Sequence, residues 1–186
     1  MVHPRWNADV FGVVNVLAYL FFLGSNIYTV SSLQPIYENM RQTYFTPSIW
    51  LFNVWHVVHA LFIAPIIYQF ASVHGQAVVV DGISWKFPLQ ATLYAIFVVV
   101  WANHQHTAAF VVSLLLNYIS GKICSTLKKE HPPKSVHDEL LVYLPFSVCQ
   151  AWDKVLWYLS AFEAFGFDAT EHRNGIWTNV FVFLSL

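Results

Sequence analysis

Charge is what this chain has least of. Only 10% of its residues are Asp, Glu, Lys or Arg, against about 25% in soluble domains. So few charges cannot clothe a soluble surface around so much apolar sequence. The net charge is −1, which gives no support to the basic face that nucleic acid needs. Cysteine is scarce as well. Cys124 and Cys149 lack metal-ligand spacing, and no disulfide framework is indicated. No Walker loop, dinucleotide fingerprint, serine-hydrolase elbow or zinc-protease pair occurs, so no enzyme class is indicated. Glycosylation triplets, lipidation motifs and usable repeats are also missing. The short polar N-terminus feeds an apolar segment too long for a signal-peptide core, so that segment is expected to be retained.

What the chain does have is apolar sequence in long blocks; 57% of its residues are hydrophobic. The stretch Thr46–Ala71 holds 26 residues without one Asp, Glu, Lys or Arg. As a helix it would extend roughly 39 Å, enough to cross a hydrocarbon core of about 30 Å. Pro47 suits a first helical turn, where its missing amide has no partner to lose. Trp50 and Tyr68 sit where half-polar rings anchor a helix at the headgroups. The same reading along the chain predicts helices near 10–30, 47–71, 88–103, 107–126 and 140–165, with a partial one at 175–186. The fold class expected is all-α: a polytopic transmembrane bundle of five full spans plus the start of a sixth, forming a single helical domain over 1–186. The last segment is too short to span alone, and its apolar end favours a truncated helix over a half-crossing one.

The tight break Asn103–Thr107 makes the third and fourth helices antiparallel neighbours. With that topology Arg5, Lys86, Lys122, Lys128, Lys129 and Lys134 fall on one side, and Arg41 and Arg173 on the other. The bias puts the N-terminus and the lysine-rich 122–134 region in the cytoplasm. The organelle and the oligomeric state are not legible.

Three constellations stand at membrane depth. By three-and-four spacing, Phe52, Trp55, His56 and His59 share one helix face. Imidazoles there serve interhelical hydrogen bonding, ligand contact, or metal or haem ligation; the lack of a carboxylate in that helix counts against zinc. Asp153-Lys154 lies in the middle of the fifth helix, where charge is expensive and faces the bundle interior. Either it is a structural polar pair or it belongs to a ligand or proton site. Aromatic residues make up 18% of the chain. Trp55, Trp152 and Trp157 lie too deep for headgroup anchoring, and such rings line pockets for flat ligands as readily as they pack helices.

At Tyr44-Phe-Thr-Pro-Ser-Ile-Trp-Leu-Phe-Asn-Val-Trp55 the chain resembles the second transmembrane helix of the tryptophan-rich sensory protein and translocator protein family. Pro47, Trp50, Phe52 and Trp55 match its pattern; His56 and His59 depart from it. Leu144-Pro-Phe-Ser-Val-Cys-Gln-Ala-Trp152 is similar to the family's last helix, departing at Asp153-Lys154. The layout looks closer still to fungal multi-pass relatives of that family with more than five spans. The resemblance implies a helical bundle with a pocket for tetrapyrroles or sterols, and a homodimer. From residues and resemblance together, the expected ligand contacts are Trp55, His56, His59, Trp152 and Asp153, with porphyrin or haem as the candidate ligand. The alternatives are an assembly subunit that packs against partner helices in a membrane complex, and a haem-binding redox protein.

Overall fold

The computed structural model describes residues 5–30 and 48–165, together with Val180 and Phe183. Five long helices dominate this part: α1 (Arg5–Val30), α2 (Val54–Ala71), α3 (Lys86–Ala102), α4 (His106–Glu130) and α5 (Leu144–Phe165). The described structure is an all-α bundle. Three stretches are long and apolar enough to cross a membrane: Val10–Tyr28, Val54–Ala71 and His106–Glu130. The α3 helix is apolar but shorter, and α5 carries Asp153, Lys154 and Glu163 along its 22 residues. The long apolar helices identify an integral multi-pass membrane protein. A lipid environment leaves backbone polar groups no water to turn to, and helices satisfy them internally.

The helices close into a ring in the order α1, α2, α5, α4, α3, with α3 returning against α1. The α4–α5 pair makes the most extensive contact, and its bonds show an antiparallel alignment. Phe110 meets Phe165 near one end, Ser113 Oγ lies 2.9 Å from Ser160 Oγ, and Asn117 donates to the Asp153 carbonyl at 2.8 Å. Towards the other end Cys124 approaches the Phe146 carbonyl, and Tyr143 donates to the Leu127 carbonyl at 2.9 Å. Small and hydroxylic residues recur along this seam, as they do where membrane helices approach closely.

The α3–α4 connection is only Asn103–Gln105. His104 takes a positive φ of 57°, unusual for a residue with a Cβ. That conformation lets the backbone reverse while the His104 and Gln105 amides still donate to the Trp101 and Val100 carbonyls, at 2.9 and 3.0 Å.

The expected helix at 47–71 is split at its start. Ile49–Asn53 form a tighter 3-10 turn before α2 proper begins at Val54. Pro47 and the 31–47 loop lie outside the described residues. The fourth helix runs to Glu130 rather than Thr126, because Lys128, Lys129 and Glu130 extend it until Pro132-Pro133 makes continuation impossible. The expected loop at 72–87 is largely helical. Ser72 accepts a bond from the Gly75 amide to start Val73–Gln76, and a wider π-helical run follows at Ala77–Ile83. Val78, Val79, Val80 and Ile83 are buried there, closing that end of the bundle. A second wide run, Glu139–Tyr143, leads into α5. The expected partial helix at 175–186 lies outside the described residues except for Val180 and Phe183.

One end of the bundle gathers the start of α1, the 72–85 segment and the 131–143 segment. Phe11 packs edge-on to Trp85, with centroids 4.7 Å apart, and Tyr68 bonds Asp138 at 2.6 Å. The lysine-rich stretch is at this end. The α3–α4 turn is at the other.

Candidate functional site

The site is built from two adjoining clusters that share one residue. The first is aromatic. Trp55 and His59 stand four apart on α2, so both face inward, and both are buried. Trp55 meets Tyr94 of α3 edge-on at 5.3 Å, Trp152 of α5 at 5.7 Å and Phe22 of α1 at 5.7 Å. Phe22 stacks on Tyr94 at 4.7 Å and lies against the His59 ring at 4.4 Å. Edge-to-face and offset stacks of this kind are the favoured aromatic geometries. Tyr19 donates to the His59 carbonyl at 3.0 Å, which ties α1 to α2 at the level of the cluster.

Polar atoms in this cluster are left over. Both ring nitrogens of His59 and the indole Nε1 of Trp152 are buried without a hydrogen-bond partner. An unpaired buried donor or acceptor is destabilising by about 1–3 kcal/mol, so three in one aromatic wall call for an explanation.

The second cluster is polar and nearly complete. Asp153 is fully buried, and its carboxyl oxygens accept from the Tyr94 hydroxyl and the Ser120 hydroxyl. Gln90 donates to Ser120 Oγ at 2.8 Å and to Cys149 Sγ at 3.4 Å, and Cys149 Sγ lies 2.8 Å from the Tyr94 hydroxyl. In this arrangement α3, α4 and α5 are linked through a single carboxyl group. Tyr94 belongs to both clusters: its ring is a wall of the aromatic one and its hydroxyl bonds Asp153.

Of the residues singled out in the sequence, Trp55, His59 and Trp152 come together in the aromatic cluster, and Asp153 sits next to it in the polar one. His56 is exposed on the outside of the bundle; one residue beyond Trp55, it points about 100° away and joins neither cluster. Phe52 lies in the 3-10 turn before α2. Sequence reasoning missed Phe22, Tyr94, Gln90 and Ser120. A usable signal existed for the α4 part: Ser113, Asn117, Ser120 and Cys124 recur at three-and-four spacing, marking the face that meets α5. Phe22 carried a signal as well: Asn15, Tyr19 and Asn26 stand with it at three-and-four spacing on α1, and all four are buried.

A third cluster lies at the lysine-rich end. The buried Asp138 accepts from the Tyr68 hydroxyl at 2.6 Å and from the Lys134 amide at 3.0 Å, and His74 Nε2 is 3.4 Å away. Its own amide donates to Ser135 Oγ at 3.2 Å. Burial pushes the Asp138 carboxyl up, but the bonds from Tyr68, the Lys134 amide and Ser135, with His74 nearby, outweigh it and hold the group below its usual range.

Long apolar helices around a buried aromatic and polar interior define a polytopic membrane bundle. The family is specific: the TSPO-like protein family matches residues 12–186, and the chain belongs to it. No curated protein and no solved structure matches the chain.

Proposed function

We propose that this protein binds a flat, hydrophobic ligand of tetrapyrrole or sterol type inside the bundle, as a sensor or translocator. The observation that carries the proposal is the aromatic wall with unsatisfied polar atoms. The His59 nitrogens and the Trp152 indole N–H are buried among Phe22, Trp55 and Tyr94 with nothing to bond. Rings on several sides give a planar ligand large contact area with few rotamers to freeze. The imidazole supplies one donor and one acceptor, and the indole one donor, which suits a ligand whose apolar body carries an oxygen or a pyrrole nitrogen. In this reading Trp55, His59 and Trp152 touch the ligand. Asp153 fixes the Tyr94 wall from behind, and His56 takes no part. Membership of the TSPO-like family agrees with a ligand-binding role. The full reading of the membrane arrangement has all five long helices crossing, with the lysine-rich end in the cytoplasm.

A haem redox role is the weaker reading. His56 and His59 diverge on α2, and His104 and His106 sit at the α3–α4 turn, where His106 packs edge-on to Trp101 at 5.4 Å. No second histidine is placed opposite His59 among the described contacts.

The test is a titration of the detergent-purified protein with protoporphyrin, followed by fluorescence, beside His59→Leu and His56→Leu. A saturable change weakened only by His59→Leu supports the reading. No saturable change in folded protein removes the tetrapyrrole proposal.

A further inference from the structure

The outward faces of the helices are not alike. Those of α1, α2 and α3 present Val13, Leu17, Leu20, Phe21, Val57, Ile63, Ile67, Leu89, Ile96 and Val99, the bulky aliphatic and aromatic surface that lipid tails meet. The α5 helix exposes Leu144 and Phe165 at its two ends, but between them its outward face presents Ser147, Ala151 and Lys154, all exposed. These three stand at three-and-four spacing and so form one stripe.

Lys154 is the anomaly in that stripe. It is ten residues from Leu144 and eleven from Phe165, about 15 Å from either end of α5. The depth rests on the proposed arrangement in which α5 crosses the membrane; there Asn117, near the middle of the α4 span, donates to the carbonyl of the neighbouring Asp153. A lysine at an end of a membrane helix snorkels to the headgroups; a four-carbon stem does not cover the distance from here. The adjacent carboxyl is no partner, because Asp153 points inward and is held by Tyr94 and Ser120. No ion pair to Lys154 occurs among the described residues. A charge in that position is costly unless something other than lipid tails covers it.

We propose that the Ser147–Ala151–Lys154 face of α5 is a docking surface for a transmembrane helix of another protein, one that carries an aspartate or glutamate at mid-bilayer depth. Ser147 and Ala151 are small enough to let a second backbone approach closely. That approach removes the ammonium group from the lipid and brings it to a carboxylate. Charge decides against a second copy as the occupant. A two-fold contact through this stripe sets Lys154 against Lys154, and the exposed acids among the described residues, Glu130 and Glu139, lie at the lysine-rich end, not at this depth.

The experiment places a photo-crosslinking amino acid at Ala151, and as a control at Leu17 on α1, in the full chain in its native membrane. Adducts are mapped by mass spectrometry. The expected result is a protein adduct at position 151 but not at 17, mapping to a transmembrane helix with Asp or Glu opposite Lys154. Its yield should fall at least tenfold with Lys154→Glu, hold with Lys154→Arg, and recover when the partner acid is changed to lysine alongside Lys154→Glu. That charge swap separates a real contact from chance capture. Protoporphyrin titration and thermal unfolding of Lys154→Glu check that the variant folds; if it does not, Lys154→Gln carries the same comparison. Lipid adducts only at 151, a crosslink to residues 166–186 of the same chain, a crosslink to a second copy, or a protein adduct indifferent to Lys154→Glu would each overturn the proposal.

Discussion

The two clusters that share Tyr94 differ in one respect that decides how each is read. Around Asp153 the polar groups of α3, α4 and α5 answer one another, with only Gln90 Oε1 left over: Tyr94 and Ser120 donate to the carboxyl group, and Gln90 donates to Ser120 and Cys149. Around Trp55 the rings are packed as closely, yet the nitrogens of His59 and Trp152 find nothing. Polar groups that satisfy each other hold a bundle in one arrangement. Polar groups left bare in an apolar wall weaken the fold and are kept where something else bonds them. In the proposed reading the Asp153 side serves stability and the His59 side recognition, although the two are one side chain apart.

The sharpest way to break that division is to remove the carboxyl group. Asp153→Leu strands the Tyr94 and Ser120 hydroxyls in the bundle interior, and a loss of about 3 kcal/mol is expected. For a chain of this size that lowers the midpoint by roughly 6–12 °C, read by thermal unfolding in detergent. An unchanged midpoint would show that the network holds nothing together. Next in size is Trp55→Ala, which removes the ring that touches Phe22, Tyr94 and Trp152. Protoporphyrin affinity should fall by about tenfold to a hundredfold, or about 1.4–2.8 kcal/mol, and the midpoint should fall too because a cavity is left. Binding that survives this variant at full strength would place the ligand elsewhere.

His59→Leu separates the two roles most cleanly. It keeps the bulk against Phe22 and removes two unpartnered nitrogens. The midpoint should hold or rise slightly while affinity falls about tenfold, about 1.4 kcal/mol. His56→Leu, on the outer surface, should change neither. Of the variants expected to have an effect, the smallest belongs to Asp138. Its carboxyl is held below the usual range, so it titrates lower in the folded chain than in the unfolded one. The stability this contributes is present at neutral pH and drains away as the pH falls through and below the ordinary carboxylate range. Asp138→Asn should flatten that acid limb, by about 2 °C in midpoint at most; equal acid sensitivity of the two proteins would assign the limb to other groups.

The helices themselves were plain in the sequence, because long uncharged runs leave a chain few alternatives. The ends were less so. Val78-Val79-Val80-Asp81-Gly82 carries the β-branched run and the turn residues of a loop or strand, yet it is wound as a wide helical turn because its valines bury against the end of the bundle. The three-residue turn at Asn103–Gln105 was legible from its brevity. Of the candidate residues, Trp55, His59, Trp152 and Asp153 stood out in the sequence because aromatic and polar residues are conspicuous against an aliphatic background, and all four are buried in the bundle. The shared face assigned to His56 was not legible, since a run of apolar residues on every side of α2 leaves the inward direction unmarked. Tyr94 was overlooked although the polar Gln90 precedes it by four residues on one face of α3; the packing of α3 against α1 and α4 shows that it joins the two clusters.

The most direct test of the division is a paired measurement on His59→Leu and Asp153→Asn: thermal midpoint and protoporphyrin affinity on the same preparations. The two variants should show opposite patterns. His59→Leu loses affinity and keeps its midpoint; Asp153→Asn loses midpoint and, while still folded, keeps most of its affinity. If both variants lose the two properties in parallel, the clusters are a single structural core, and the bare nitrogens of His59 do not mark a binding site.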